Sequence, residues 1–309
     1  MIPVEQVREL IRSQGYKRVL FHLPAGLMPH WGILSELVPE PLFSADPCFG
    51  ACDVPLHLMA DLKADAILSF GHSKPPGFSY PDNIHFVEIQ LPYTSTFIPP
   101  FRKVGLVYAI QYREASRAYA RTLEKAGKTV VWGGKPGFMA THLGQVTGCD
   151  TAAASAILSR VDGFVVCADG VFHIQAVATL GKPTFNWLGE TAKPPRYPVA
   201  LLSTARTVGI LVSTKTGQFH LNEAENLLRD LKKLGKQAFI VAGDTLTLET
   251  GNFQADCWVI TACPRMAQDL RSSIPYDAAK LYIKGIYKEP YGRSSRTAKS
   301  AGRQSSGKG

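Results

Sequence analysis

Short apolar, β-branched runs recur along the chain. Three of them follow a basic residue: Lys17-Arg18-Val19-Leu20-Phe21, Arg102-Lys103-Val104-Gly105-Leu106-Val107 and Arg206-Thr207-Val208-Gly209-Ile210-Leu211-Val212. Such runs have no polar alternation and fit strands buried on both faces of a parallel sheet. Each opens a stretch in which strand patterns alternate with helical ones. Two of these stretches carry a helix stop followed by a strand, Ala126-Gly127-Lys128-Thr129-Val130-Val131 and Leu234-Gly235-Lys236-Gln237-Ala238-Phe239-Ile240. Glycine closes the helix there and the chain re-enters the sheet.

A second set of segments shares an aspartate followed by an apolar strand. These are Ala64-Asp65 through His72, Val161-Asp162 through Asp169, and Ala255-Asp256 through Cys263. Aligned without gaps, they end on His72, Asp169 and Cys263. That last position is the carboxyl end of a parallel strand, where open α/β sheets place ligands. A repeat at this period predicts an α/β fold of three similar small parallel-sheet domains, roughly ninety to a hundred residues each, around a common centre. The expected domains are 1–97, 98–203 and 204–292, followed by a tail, 293–309. Proline-rich breaks at Ile98-Pro99-Pro100 and between Pro194 and Pro198 suit these boundaries.

Composition narrows the setting. The 309 residues are 45% hydrophobic, enough for several cores. No apolar run has the length of a membrane span, so no membrane is expected. The N-terminal Met1-Ile2-Pro3-Val4-Glu5 lacks a secretory pattern, and a cytoplasmic location is expected. The net charge of +9 is inflated by the tail, where Arg293 to Gly309 holds five Lys or Arg and no acid. The tail reads as a solubilising segment, or as an electrostatic contact to RNA or the ribosome. It has no aromatic residue on which a base would stack.

Six cysteines in a cytoplasmic chain read as thiols or metal ligands rather than disulfides. There is no CxxC pair, so a zinc ribbon is not expected. Cys52, Cys149 and Cys263 fall one in each third of the chain, beside Gly or Pro. Three domains around a centre would bring these thiols to one point. Three thiolates can hold a four-iron cluster and leave one iron without a protein ligand. Cys167 and Cys257 lie in or beside apolar runs and read as buried structural thiols. Cys48, four residues before Cys52, reads as a neighbour of the site, with ligand and buried-thiol readings open.

Around these cysteines the sequence resembles the archaeal diphthamide synthase family. The resemblance rests on Leu23-Pro24-Ala25-Gly26-Leu27, Asp46 to Asp53, Phe70-Gly71-His72-Ser73, Gly144-Gln145-Val146-Thr147-Gly148-Cys149, Phe172-His173, Ser213 to Gln218, and Thr261-Ala262-Cys263-Pro264-Arg265. It implies a four-iron four-sulfur cluster on Cys52, Cys149 and Cys263, with S-adenosylmethionine at the open iron. It implies cleavage to a 3-amino-3-carboxypropyl radical that adds to C2 of a histidine of translation elongation factor 2. It also implies a homodimer and an electron donor. With the resemblance in view, the candidate cofactor-binding set is Gly50, Asp53, His72, Ser73, Lys215, Gly217, Gln218 and Arg265. Arg265 is the first candidate for the methionyl carboxylate, Asp53 or Asp169 for the sulfonium, and the Lys215–Gln218 turn for the nucleotide.

The chain departs from the family pattern at Ala25, where the family usually has an acid, at Val54-Pro55-Leu56, and after Arg265 around Ser272 to Tyr276. These departures leave all three thiols in place and bear on the acceptor. The alternatives are a paralogue using the same radical on another acceptor, a quinolinate synthase-like cluster enzyme, and a non-catalytic partner subunit.

Overall fold

Among the described residues, twelve strands form three four-stranded sheets, each parallel throughout. The structure, a computed structural model, describes residues 2–246 and 248–285. The basic tail 293–309 lies outside the described residues. The first sheet holds β1 (Arg18–His22), β2 (Glu40–Phe43), β3 (Ala66–Phe70) and β4 (Ile84–Val87). The second holds β5 (Lys103–Tyr108), β6 (Thr129–Trp132), β7 (Gly163–Cys167) and β8 (Thr184–Asn186). The third holds β9 (Thr207–Ser213), β10 (Gln237–Gly243), β11 (Cys257–Ile260) and β12 (Ser273–Pro275). In chain order within its unit, each sheet runs second, first, third, fourth strand.

The register repeats as well as the order. Val19 pairs with Ala66, Val104 with Gly163 and Val208 with Cys257, each partner directly following the repeated aspartate. The aspartates explain part of the repeat. Asp65 Oδ2 accepts the backbone N–H groups of Lys17 and Arg18 at 2.8 and 2.9 Å. Asp162 Oδ2 accepts that of Lys103 at 2.8 Å, and Asp256 Oδ2 those of Arg206 and Thr207, both at 2.9 Å. Each carboxylate therefore ties the start of the third strand to the start of the first. It satisfies donors at the sheet's amino end that would otherwise face only solvent.

Burial accounts for the apolar runs. Every residue of β3, β7 and β11 is buried. In the second and third sheets a glycine of the opening strand makes room for a ring on the neighbouring strand. A Cβ on Gly105 would lie 2.6 Å from Phe164 Cδ1, and one on Gly209 would lie 2.2 Å from Trp258 Cζ3. Either ring buries enough apolar area to contribute about 2–3 kcal/mol. Any side chain at the glycine would displace it.

The cores sit on the faces of the sheets. In the first unit Val7 and Ile11, from the helix Val4–Gln14, pack with Val19, Phe21, Leu68 and Phe70. That helix ends at Gly15, whose φ of 69° closes it in the left-handed conformation. Tyr93 and Phe97 pack on the second core. Val199, Leu202 and Ala205 pack in the third, so that core recruits residues ahead of 204.

Candidate functional site

All three candidate cysteines lie beyond carboxyl ends of strands. Cys52 follows β2 and Cys149 follows β6, the second strand of their respective units. Cys263 follows β11, a third strand. The threefold repeat thus holds for the sheets and breaks at the thiols. His72 and Asp169 occupy the place of Cys263 in the first two units.

These three thiols are partly exposed, whereas Cys48, Cys167 and Cys257 are buried. Cys52, Cys149 and Cys263 also feel one another's charge. Burial pushes the Cys149 thiol up to about 12, and the charges of Cys263 and Cys52 add to that rise. Burial raises Cys52 to about 11, opposed by a Gln218 hydrogen bond and assisted by Cys263 and Asp53. Cys263 is raised by burial and eased by the backbone and charge of Arg265. Among the described residues no group of three His, Cys, Asp or Glu side chains has the geometry to hold one metal ion. A single tetrahedral ion at ordinary zinc–sulfur lengths needs sulfurs about 3.8 Å apart. The three thiols are near enough for their charges to act on one another.

Two of the thiols have a side-chain hydrogen-bond partner. Thr147 Oγ1 lies 3.4 Å from Cys149 Sγ, and Gln218 Nε2 donates to Cys52 Sγ at 3.4 Å. Cys48 is a buried neighbour of the site: its Sγ lies 3.8 Å from Phe70 O and 4.0 Å from His72 Nδ1, and the charge of Cys52 reaches it.

The residues directly after two of the cysteines organise their loops. Asp53 is buried; its Oδ2 accepts the Phe49 N–H at 3.0 Å and its Oδ1 pairs with Lys215 Nζ from the third unit. Asp150, also buried, accepts the backbone N–H groups of Gly137, Met139, Ala140 and Ala152 at 2.9–3.3 Å. The repeated Cys-Asp pair was a signal in the sequence for both roles; Asp150 was missed there. Gln145 was missed as well. Its Oε1 accepts Thr141 N and His142 N, and its Nε2 donates to Ser73 Oγ at 3.2 Å across the seam between the first two units.

The remaining candidates spread around this centre. A Cβ on Gly50 would lie 3.3 Å from Cys52 Sγ, so the residue leaves the thiol open space. His72 is pushed down to about 4, first by burial and then by the charges of His22 and His173. His173 is likewise lowered by burial, faces Asp169 and Arg265 electrostatically, and has a buried Nδ1 without a hydrogen-bond partner. Arg265 lies over the Phe49 ring at 5.8 Å and pairs with Asp269 at 3.6 Å. Asp169 is exposed and acts on Tyr112 and His173. Asp53, one of the two acids considered for the sulfonium with Asp169, pairs with Lys215. A cleft of about 370 Å³ adjoins that pair, walled by Val54, Leu56, His57, Thr214, Thr216 and Asp244.

Three repeated parallel-sheet units, each sending one partly exposed cysteine to a shared centre, define a three-unit α/β protein with a thiol-lined site. The family model described as "Putative diphthamide synthesis protein" matches residues 31–273, and the chain belongs to that family. It is 26% identical to a 2-(3-amino-3-carboxypropyl)histidine synthase of Pyrococcus horikoshii, over 87% of this chain and 84% of that protein. It is 25% identical to subunit 1 of the synthase of that name from Gallus gallus, over 91% of this chain and 76% of that protein. Among solved structures, Dph2 from Pyrococcus horikoshii with a 4Fe-4S cluster superposes with a TM-score of 0.79 at 23% identity, covering 94% of this chain and 92% of that one.

Proposed function

We propose that the protein carries out the first step of diphthamide formation. It would transfer the 3-amino-3-carboxypropyl group of S-adenosylmethionine to C2 of a histidine in translation elongation factor 2. The reading rests on the family membership and on one observation in this chain: three thiols from three units gathered within each other's electrostatic reach. Cys52, Cys149 and Cys263 would hold a four-iron four-sulfur cluster. They fit that group by their chemistry: three partly exposed free thiols, one from each unit and each beyond the carboxyl end of a strand, are the soft sulfur donors an iron–sulfur cluster takes. When bound, the cluster supplies the single electron that splits the sulfonium–γ-carbon bond into methylthioadenosine and a 3-amino-3-carboxypropyl radical.

The chain's own residues prepare the ground around it. Arg265 brings a cation beside Cys263 and suits the methionyl carboxylate. Burial keeps His72 and His173 neutral at pH 7, so neither repels a cationic sulfonium. Lys215 neutralises Asp53, which leaves the exposed Asp169 as the acid for the sulfonium or the ammonium. The Thr214–Thr216 wall of the adjoining cleft suits the nucleoside. Gly50, Ser73, Gly217 and Gln218 complete the set as residues that shape the Cys52 loop and its seams. An electron donor, a homodimeric assembly and a cytoplasmic setting belong to the same proposal. Among the described residues no helix is long and apolar enough to cross a membrane.

The test is anaerobic reconstitution with iron and sulfide, then reaction with labelled S-adenosylmethionine and elongation factor 2 under a reductant. Mass spectrometry of the factor should find the labelled group on one histidine, with methylthioadenosine released. A protein that carries the cluster and releases methylthioadenosine but leaves the factor unlabelled would point to another acceptor. One that carries the cluster and yields no methylthioadenosine would sink the reading.

A further inference from the structure

One turn of the third unit makes three separate contacts with the Cys52 loop of the first. Gln218 Nε2 donates to Cys52 Sγ at 3.4 Å. Gly217 lies against the cysteine's backbone: a Cβ there would come 2.4 Å from Cys52 Cβ and 2.7 Å from Cys52 Cα. Lys215 Nζ pairs with Asp53, the next residue, in a site where the two side chains are 11% and 1% exposed. The turn is held on its own side as well. Gln218 N donates to Lys215 O at 2.8 Å, Lys215 N to Ser213 Oγ at 3.3 Å, and Ser213 Oγ to Asp244 O at 3.2 Å. Gln218 therefore reaches Cys52 from the end of β9 on a braced turn rather than on a loose side chain.

Cys52 differs in this from the other two thiols. The side-chain hydrogen-bond partner of Cys149 is Thr147, two residues away in the same loop. The donors near Cys263 are the backbone groups of Arg265 and Met266, also local. Among the described residues Cys52 alone takes its side-chain donor from another unit. The unit that delivers Gln218 also delivers Cys263, so a single docking event brings in one ligand and one donor together.

A thiolate sulfur accepts hydrogen bonds, and N–H donors on cluster sulfurs stabilise the more negative, reduced state. We infer that Gln218 is a positioning residue that raises the reduction potential of a cluster held by Cys52, with Gly217 and Lys215 fixing its amide on the sulfur. The inference rests on the cluster reading above and adds to it the residue that couples docking of the third unit to the electron affinity of the centre.

The experiment is an anaerobic redox titration of reconstituted wild type, Q218M and Q218E, followed by electron paramagnetic resonance. Iron content and melting temperature are measured on the same samples. Q218M removes the donor at nearly the same volume, and Q218E replaces it with an anion of the same shape. The expected result is unchanged iron content, a more negative midpoint in Q218M, and a larger shift of the same sign in Q218E. Midpoints equal to wild type in both variants would overturn the inference. So would loss of the cluster in both at an unchanged melting temperature, because Gln218 would then be needed to hold iron. A wild-type protein that takes up no cluster under these conditions overturns the underlying reading, and the inference with it.

Discussion

The two ends of the three sheets have diverged differently. At the amino ends the units do the same thing: Asp65, Asp162 and Asp256 each accept backbone N–H groups from the opening strand. At the carboxyl ends the equivalent positions hold His72, Asp169 and Cys263, three different titratable residues. The remaining candidate thiols, Cys52 and Cys149, come from loops after a different strand. The lesson is that the repeat is kept where it builds the fold and lost where the three units must act as one site. The centre takes one cysteine from each unit, but from loops after different strands, and the positions equivalent to Cys263 carry other side chains.

The largest test of that contrast removes the thiols. Cys→Ala at 52, 149 or 263 should reduce both retained iron and methylthioadenosine release to background, measured after anaerobic reconstitution. Cys167→Ala and Cys257→Ala should keep both, and should lose roughly 1 kcal/mol each in urea unfolding for the buried volume removed. Loss of iron in either of the latter two would move a ligand into the sheets and erase the contrast.

Next in size is the seam that gathers the centre. Lys215→Met leaves Asp53 charged, buried and unpaired, and should cost about 3–5 kcal/mol in denaturant unfolding. Pairing it with Asp53→Asn should recover much of that loss. Equal losses in the single and double variants would mean that the pair does not hold the seam.

A smaller effect comes from His72, whose proton affinity is depressed to about 4 by burial against an ordinary value of 6.5. The unfolded chain binds this proton more tightly than the folded one. The stability that neutral His72 contributes is therefore complete above pH 6.5 and is lost as pH falls toward 4. H72N should flatten that limb of the stability–pH curve; a curve of unchanged shape would contradict the burial of this ring.

The smallest effect belongs to the outer ends. Backbone N–H donors hold Asp65 and Asp256 below the usual carboxylate range. Their contribution is present at neutral pH and disappears as pH falls through the lowered values. D65N and D256N should lower the melting temperature slightly at pH 7, converge with wild type in acid, and leave methylthioadenosine release untouched. A large activity loss in either would show that the outer ends also serve the centre.

Much of this was legible in the sequence. The three Asp-strand segments fall in the same register in all three sheets, because a buried parallel strand must be an unbroken apolar run. The cysteines stood out because each interrupts no such run. What the sequence did not show was pairing across seams. Asp53 reads as a free acid until Lys215, far along the chain, is seen against it, and Gln145 reads as a loop residue until Ser73 appears opposite. Side chains that work between units leave no periodicity. The Asp150 loop did have a local sign, since an aspartate directly follows both Cys52 and Cys149.

The account stands on Cys52, Cys149 and Cys263 holding one cluster together. Mössbauer spectroscopy of protein reconstituted with isotope-enriched iron, recorded with and without S-adenosylmethionine, tests this most directly. The account predicts four irons per chain in one coupled cluster, with a single iron site that changes when S-adenosylmethionine is added. Isolated ferrous ions, a two-iron spectrum, or a four-iron cluster in which no site responds would contradict it.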